Sequence, residues 1–149
     1  QTSSVIIVLM AMATLFGNIM TIEQVPDHIA AMILGVTSNK IAILLLINVF
    51  LLWVGTFMEA LAAIVIITPI LLPLVTKVGV DPIHFGVIMV VNLAIGFITP
   101  PVGVNLFVAS SISKVSIGDV VRAAWPFLLA MIALLMAITY IPAISLCLL

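Results

Sequence analysis

Charged residues are scarce in this chain of 149 residues. Lys and Arg together number 4, Asp and Glu number 5, and the charged share is 6%, whereas soluble globular domains average about 25%. The formal net charge of -1 gives no indication of a nucleic-acid partner, because such proteins present clusters of basic residues. The shortage of charge therefore excludes an ordinary soluble domain.

Cysteine is nearly absent as well. The single Cys147 lies in the apolar C-terminal tail, where packing as a small hydrophobic residue is favoured over a redox role. One cysteine cannot build a disulfide framework within the chain.

Groups that carry out catalysis are also missing. His28 and His84 lie near the ends of predicted segments, while Asp27, Asp81 and Asp119 fall in connections. No Ser or Cys stands beside a base in a recognisable nucleophilic arrangement, and the spacing of metal ligands is absent. We therefore expect that the chain is not an enzyme.

Hydrophobic residues dominate what remains. They make up 66% of the chain, and the mean hydropathy is +1.56. The few charges are separated by uncharged intervals long enough for helices embedded in a membrane. The sequence predicts an all-α integral membrane protein in the lipid bilayer, and we expect it to be the C-terminal piece of a longer chain.

Residues 1–40 are predicted to form a membrane helix followed by an amphipathic helix in the membrane interface. The stretch 5–19 is apolar, and Glu23, Pro26, Asp27 and His28 follow it before the apolar pattern resumes. A segment with acids on one side and apolar residues on the other is typical of a helix that lies in the interface.

Residues 41–79 are predicted to form a re-entrant helical hairpin. The uncharged run 41–54 spans about 21 Å as a helix, which is short of a hydrocarbon core of about 30 Å. A second uncharged run, 60–76, follows Gly55 and Thr56, and Lys40 and Lys77 lie at the two outer ends. We favour a hairpin whose tip at Gly55 and Thr56 reaches mid-membrane. A single span from residue 41 to about residue 61 is the alternative.

Residues 80–114 are predicted to form one discontinuous membrane helix. Asp81 is placed to cap a helix that has Pro82 at its first position. Near residue 98 the helix breaks, because the residue before a proline avoids the helical region and two prolines follow, Pro100 and Pro101. A second half-helix is expected to begin with Thr99 as its cap and Pro100 at its first position, and to end near residue 113.

Residues 115–149 are predicted to contain a C-terminal membrane helix. A short polar connection reaches residue 122, and the apolar run from residue 123 is long enough to cross with some tilt. Trp125 and Tyr140 stand near its two ends, where aromatic residues anchor membrane helices in the interface.

The two interruptions form the candidate binding site. A helix broken at mid-membrane offers unpaired carbonyl groups to Na⁺ at one end and unpaired N–H groups to an anion at the other. A structural proline kink is the alternative interpretation of the break. The candidate residues are Gly55, Thr56, Glu59, Thr99, Pro100, Pro101, Val102, Gly103 and Asn105.

Glu59 has two interpretations that the sequence leaves open. It is the only charge predicted at membrane depth, which favours a functional role. Thr56 and Glu59 also fit a capping box, in which Thr56 caps the second arm and Glu59 reaches back to the Thr56 N–H.

Five segments closely resemble the C-terminal half of the large membrane subunit of tripartite ATP-independent periplasmic (TRAP) transporters. They match in order and spacing over essentially the whole chain. The segments are GTFME at 55–59, TPILLP at 68–73, DPIHFG at 81–86, NLAIG at 92–96 and TPPVGVNL at 99–106.

The resemblance implies a fold and a function. The implied fold is the second of two inverted repeats in an elevator-type transporter of the ion transporter superfamily, and each repeat has a re-entrant hairpin and a broken helix. The implied function is the permease subunit of a Na⁺-coupled secondary transporter that imports carboxylates such as C4-dicarboxylates or sialic acids. On this resemblance, the hairpin tip and the break form one Na⁺ site and half of a carboxylate pocket.

The resemblance also implies partners and a location. The partners are a small four-helix membrane subunit and a periplasmic substrate-binding protein, and the location is the cytoplasmic (inner) membrane of a bacterium or archaeon. We expect no cofactor, with Na⁺ acting as the coupling ion. A structural or assembly subunit that does not itself transport is the alternative function.

Overall fold

The computed structural model describes residues 39–100 and 102–147, together with scattered positions between residues 11 and 35. The predicted membrane helix and interfacial helix of residues 1–40 lie largely outside the described residues, as does Pro101. Over residues 39–147 the regular structure that is described is entirely helical, as the sequence predicts. The helices are α1 Lys40–Gly55, α2 Ala60–Lys77, α3 Pro82–Gly96, α4 Val104–Ser113, α5 Ile117–Tyr140 and α6 Pro142–Leu146.

Helix α3 is the axis of the described structure, because α1, α2, α5 and α6 all pack against it. Its buried positions follow the i, i+4 spacing that places side chains on one face of a helix. Phe85, Met89 and Leu93 on this face join buried residues of α1 and α2 in one apolar core. Ile95, near the end of α3, packs instead with Leu128 and Leu135 of α5.

Short polar side chains fix where α1 and α3 begin. The Asn39 side chain accepts from the N–H of residue 41 at the start of α1. Asp81 accepts from the N–H groups of Ile83 at 2.8 Å and His84 at 3.2 Å, which confirms the predicted cap of α3 with Pro82 at its first position. Such caps satisfy N–H groups that have no partner inside the helix.

Helix α1 ends at Gly55, and a turn separates it from α2. Residues 41–61 are therefore two helices and not one continuous span. Helices α2 and α5 are the two in the described structure that are long and apolar enough to cross a membrane. The re-entrant arrangement of α1 and α2 depends on where the membrane lies, so it stays a prediction.

The last long helix differs from its predicted bounds. It begins at Ile117 and not at residue 123, because the Ser116 hydroxyl oxygen accepts from the Asp119 N–H and caps it early. It ends at Tyr140 because Pro142 follows, and the residue before a proline avoids the helical region. Ile141 accordingly has φ -118 and ψ 85, and α6 begins after it.

Large apolar side chains remain exposed along one side of α1. Ile41, Val49 and Trp53 are each at least 60% exposed. An apolar surface of this kind on a protein marks contact with lipid or with another protein surface. It agrees with the predicted membrane environment.

The Asp81 cap yields the first testable prediction. Asp81→Ala in the complete protein should lower the midpoint of thermal unfolding in detergent, because it removes an acceptor worth about 1 kcal/mol from two helix N–H groups. Asp81→Asn is the control, since Asn caps helices about as well as Asp. Equal midpoints for the Ala and Asn variants would contradict the capping role.

Candidate functional site

The C-terminal end of α1 is closed by its own cap. The Thr56 N–H donates to the Trp53 carbonyl at 3.2 Å, and the Thr56 hydroxyl donates to the same carbonyl at 2.7 Å. The next two N–H groups along the chain donate to the Val54 carbonyl. Among the described residues, no backbone N–H donates to the Gly55 carbonyl.

The predicted capping box between Thr56 and Glu59 is wrong. Glu59 is itself the N-cap of α2, and its carboxylate accepts from the Ala62 N–H at 3.1 Å. Thr56 belongs to the end of α1, where its hydroxyl proton is already donated. The connection is long enough to give each helix its own cap. Glu59 is exposed in this chain, and a functional role for it stays a prediction.

The C-terminal end of α3 is capped in the same way as that of α1. Beyond Gly96, the Ile98 N–H donates to the Ile95 carbonyl at 3.1 Å, and the Thr99 N–H donates to the Gly96 carbonyl at 3.0 Å. The Thr99 hydroxyl donates to the Ile95 carbonyl at 2.8 Å. Both interrupted helices thus end in a threonine whose hydroxyl proton is donated back into the helix.

The second half-helix begins at Val104, so the prediction that Thr99 caps it with Pro100 at its first position is wrong. Pro101 disfavours a helical conformation at Pro100, and the Thr99 hydroxyl donates back into α3. The N-cap is Gly103, with φ 47 and ψ 70, a left-handed conformation that glycine adopts without steric cost. The helix ends at residue 113, as predicted.

Helices α3 and α4 stay in contact across the connection between them. The Asn105 N–H, in the first turn of α4, donates to the Phe97 carbonyl at 3.2 Å, just past the end of α3. A Cβ added to Gly103 would lie 3.1 Å from the Thr99 carbonyl oxygen. The connection therefore folds tightly against the end of α3.

The ends of α1 and α3 meet through two glycines. A Cβ added to Gly96 would lie 2.5 Å from the Gly55 carbonyl carbon and 2.6 Å from the Gly55 Cα. A Cβ added to Gly55 would lie 3.1 Å from the Leu93 Cα and 3.2 Å from the Gly96 Cα. The end of α1 and the end of α3 are thus joined by direct backbone contact.

This contact defines what the site can do chemically. The C-terminal end of an α-helix carries a partial negative charge of roughly half an electron. The Gly55 carbonyl at the end of α1 also accepts no backbone N–H among the described residues. Two such ends lie side by side here. Because the Thr56 and Thr99 hydroxyls donate inward, their oxygen lone pairs remain available as acceptors. The arrangement suits a small cation bound by oxygen.

The predicted site residues differ in exposure. Gly55, Thr56 and Gly103 are buried, and Thr99 and Val102 are half-buried. Pro100 and Asn105 are exposed, as Glu59 is, and Pro101 lies outside the described residues.

The sequence analysis missed Gly96, which supplies the closest contact of the site. One indication was available, because small residues mark the close approach of membrane helices.

A buried chain of polar side chains lies beneath the glycine contact. The Asn92 amide N–H groups donate to the Asn48 Oδ1 and the Ile88 carbonyl, both at 2.8 Å. The Asn48 Nδ2 donates to the Thr139 Oγ1 at 2.9 Å, and the Thr139 hydroxyl donates to the Leu135 carbonyl at 2.8 Å. Asn92 thus forms a hydrogen bond between helices, and it connects α3 to α1 and, through Asn48, to α5.

A cavity of about 280 Å³ lies near the other end of α1. The Lys40 Nζ donates to the Gly79 carbonyl at 2.7 Å, and the Tyr140 hydroxyl donates to the Ile41 carbonyl at 3.3 Å. The ring nitrogens of His84 lie 2.6 Å from a serine hydroxyl of α6 and 3.3 Å from a carbonyl oxygen of α5. These polar contacts connect neighbouring segments around the cavity.

Residues 1–144 match a protein family described as the tripartite ATP-independent periplasmic transporter, DctM component. The isethionate TRAP transporter permease protein DctMQ of Oleidesulfovibrio alaskensis is 66% identical over 143 residues, which are 96% of this chain and 22% of that protein. The C4-dicarboxylate TRAP transporter large permease protein DctM of Pseudomonas aeruginosa is 46% identical over 140 residues, 94% of this chain and 33% of that protein.

A further relative is named for another substrate. The sialic acid TRAP transporter large permease protein SiaM of Vibrio cholerae is 37% identical over 146 residues, which are 98% of this chain and 34% of that protein. The chain thus spans between about a fifth and a third of the length of these curated relatives.

The glycine contact yields the second prediction. Gly96→Ala in the complete protein should lower the midpoint of thermal unfolding and reduce activity at least about tenfold, because the new methyl group overlaps the Gly55 backbone, which cannot move like a flexible side chain. Gly86→Ala in the same helix is the matched control, since nothing lies within 4 Å of its Cβ position. Equal thermal midpoints and equal activities of the two variants would rule out the close contact.

Proposed function

The chain belongs to the DctM-component family of the TRAP transporters, and from this we propose that it is part of the permease of a Na⁺-coupled secondary transporter for small organic anions. The single observation that carries the proposal is the backbone contact between Gly55 and Gly96. It joins the end of α1 to the end of α3, which are the tip of the proposed hairpin and the break in the proposed discontinuous helix.

Membership of a family of transporter components confirms the prediction that the chain is not an enzyme. The activity, substrates and partners of the whole protein are proposals, because the chain spans only part of the length of its relatives.

The electrostatics of the two helix ends support Na⁺ as the coupling ion. Two adjacent C-terminal ends create a negative potential that attracts a cation, and Na⁺ prefers oxygen ligands such as carbonyl and hydroxyl groups. Gly55, Thr56 and Thr99 provide those groups in the proposed site. The exposed carboxylate of Glu59 adds negative potential near the tip of the hairpin.

The connection from Pro100 to Asn105 is proposed as one wall of the anion pocket. Pro100, Pro101, Val102 and Gly103 lead into the start of α4, where helix N–H groups favour negative charge. The remaining Na⁺ and substrate contacts would come from the regions of a permease that correspond to the unmatched length of these relatives.

The proposed substrate is a carboxylate, with a sulfonate as the second candidate. Two relatives are named for C4-dicarboxylates and sialic acid, which are carboxylates. The relative at 66% identity is named for isethionate, a sulfonate. Both groups present anionic oxygens that the same helix end could bind.

We propose the family architecture for the chain. Residues 41–79 would be a re-entrant hairpin, residues 80–114 a discontinuous membrane helix and residues 115–149 a unit with a C-terminal membrane helix. A membrane helix and an interfacial helix would occupy residues 1–40. Together they would form the second inverted repeat of an elevator-type transport domain.

The proposed surroundings follow from the same family. The permease would lie in the cytoplasmic (inner) membrane, work with a small four-helix membrane subunit, and receive substrate from a periplasmic binding protein.

The test of Na⁺ coupling uses the complete transporter in proteoliposomes with its binding protein. Uptake of a radiolabelled C4-dicarboxylate, sialic acid or isethionate is measured with and without an inward Na⁺ gradient. We expect uptake of at least one of them to require the gradient. Gradient-independent uptake would disprove coupling, and an absence of transport would favour an assembly subunit.

The Thr99 hydroxyl gives a sharper version of this test. Thr99→Val should raise the Na⁺ concentration for half-maximal uptake about tenfold, because a lost contact between a hydroxyl and a cation costs roughly 1.5 kcal/mol. Thr76→Val is the matched control, since Thr76 makes the same kind of bond to the Leu72 carbonyl at 2.9 Å near the end of α2. Equal shifts in both variants would exclude Thr99 as a ligand.

The re-entrant hairpin predicts the sidedness of two lysines. Lys40→Cys and Lys77→Cys, each in a background without other cysteines, should react with a membrane-impermeant maleimide from the same side of the membrane. Lys114→Cys, beyond one further crossing, should react from the opposite side. Modification of Lys40→Cys and Lys77→Cys from opposite sides would mean that the hairpin crosses the membrane.

A further inference from the structure

We propose that Asn48, Asn92 and Thr139 are positioning residues that fix the register of α1 along α3, and thereby set the spacing of the helix ends at Gly55 and Gly96. The inference deepens the proposed function, because it assigns a role in Na⁺ affinity to residues that lie beneath the proposed ion site.

The three residues lie where they can control the site. Asn92 precedes Gly96 by one helical turn, and Asn48 precedes Gly55 by two turns. These spacings place each asparagine on the same face of its helix as the glycine. The amide pair therefore forms the next level of the same α1–α3 contact.

The direction of every hydrogen bond among these three side chains is fixed. The Asn92 Nδ2 uses its hydrogens on the Ile88 carbonyl and the Asn48 Oδ1, so reversing the Asn92 amide would place oxygen against oxygen. The Asn48 Nδ2 in turn donates to Thr139, whose own proton goes to the Leu135 carbonyl. A displacement of α1 along α3 or α5 would break the bonds that the Asn48 side chain makes to those helices.

One atom of the network argues against a purely stabilising role. The Asn92 Oδ1 is buried and has no hydrogen-bond partner within the described residues. Leaving a buried amide oxygen unpaired is unfavourable, and an apolar residue at the same place avoids the penalty. A polar residue at such a position is better explained by the geometry that its other bonds enforce.

The remainder of the contact cannot enforce that geometry. The buried face of α1 otherwise carries aliphatic side chains such as Ile47 and Leu51, which pack against Leu93 and its neighbours in one cluster. Aliphatic surfaces tolerate sliding, whereas a single buried asparagine is known to fix the register of paired helices. A slip of α1 along α3 would separate the two glycines.

The test is a double-mutant cycle in the complete transporter. Asn48→Leu and Asn92→Leu are compared singly and together in thermal midpoint, substrate KM and the Na⁺ concentration for half-maximal uptake. Each single variant should lower the midpoint, because it leaves the other amide poorly satisfied. The double variant should recover most of the midpoint but keep a Na⁺ half-saturation raised about fivefold or more.

Recovery of both the midpoint and the Na⁺ half-saturation in the double variant would overturn the proposal, since the pair would then serve stability alone. Thr68→Val is the control, because Thr68 bonds to the Ile64 carbonyl and contacts the Met89 sulfur away from this network. Its Na⁺ half-saturation should match that of the wild type.

A second pair of variants keeps the proposal testable if the leucine variants fail to fold. Thr139→Val removes the acceptor of the Asn48 amide and should raise the Na⁺ half-saturation, whereas Thr139→Ser keeps the hydroxyl and should not. Equal values for the two would overturn the proposal. Wild-type uptake that is indifferent to Na⁺ would instead disprove the proposed function, so the two failures are distinguishable.

Discussion

The backbone contact between Gly55 and Gly96 is the constraint on which the candidate site depends. A side chain at Gly96 would force the ends of α1 and α3 apart, since its Cβ would lie 2.5 Å from the Gly55 carbonyl carbon, and a Cβ on Gly55 would lie 3.1 Å from the Leu93 Cα. Two helix C-terminal ends in contact repel each other through their partial negative charges. A bound cation would relieve that repulsion, and the buried bond between Asn48 and Asn92 holds the helices together beneath it.

The positions of the two breaks could be predicted because they depend on local backbone chemistry. Pro69, Pro73 and Pro126 each lie inside a helix, so a single proline does not end one here. Pro100 and Pro101 are adjacent, so two successive residues lack a backbone N–H and the second proline disfavours a helical conformation at the first. Asp81 followed by Pro82 specifies a helix start in the same local way. The details of the ends could not be predicted in the same way. A threonine hydroxyl can cap a following helix or bond back to a preceding carbonyl, and Thr56 and Thr99 both bond backward.

The partners that complete the site come from distant parts of the sequence. Asn92 bonds to a residue 44 positions away, and Asn48 bonds to one 91 positions away. A polar residue in an apolar helix indicates that a hydrogen-bond partner exists, but not which one. For the same reason the contact of Gly96 with Gly55 could not be identified, although each glycine is visible in the sequence.

Helix α1 shows which residues select the buried face of a helix when hydrophobic periodicity does not. It is apolar on every side between Lys40 and Gly55 except at Asn48, so periodicity cannot choose the face that turns toward α3. Asn48 and Gly55 lie on one stripe, and that stripe is the buried one. The amide finds its partners only there, and the glycine permits the close approach only there. One polar and one small residue therefore orient the helix, and the apolar remainder is left for lipid or for neighbouring protein.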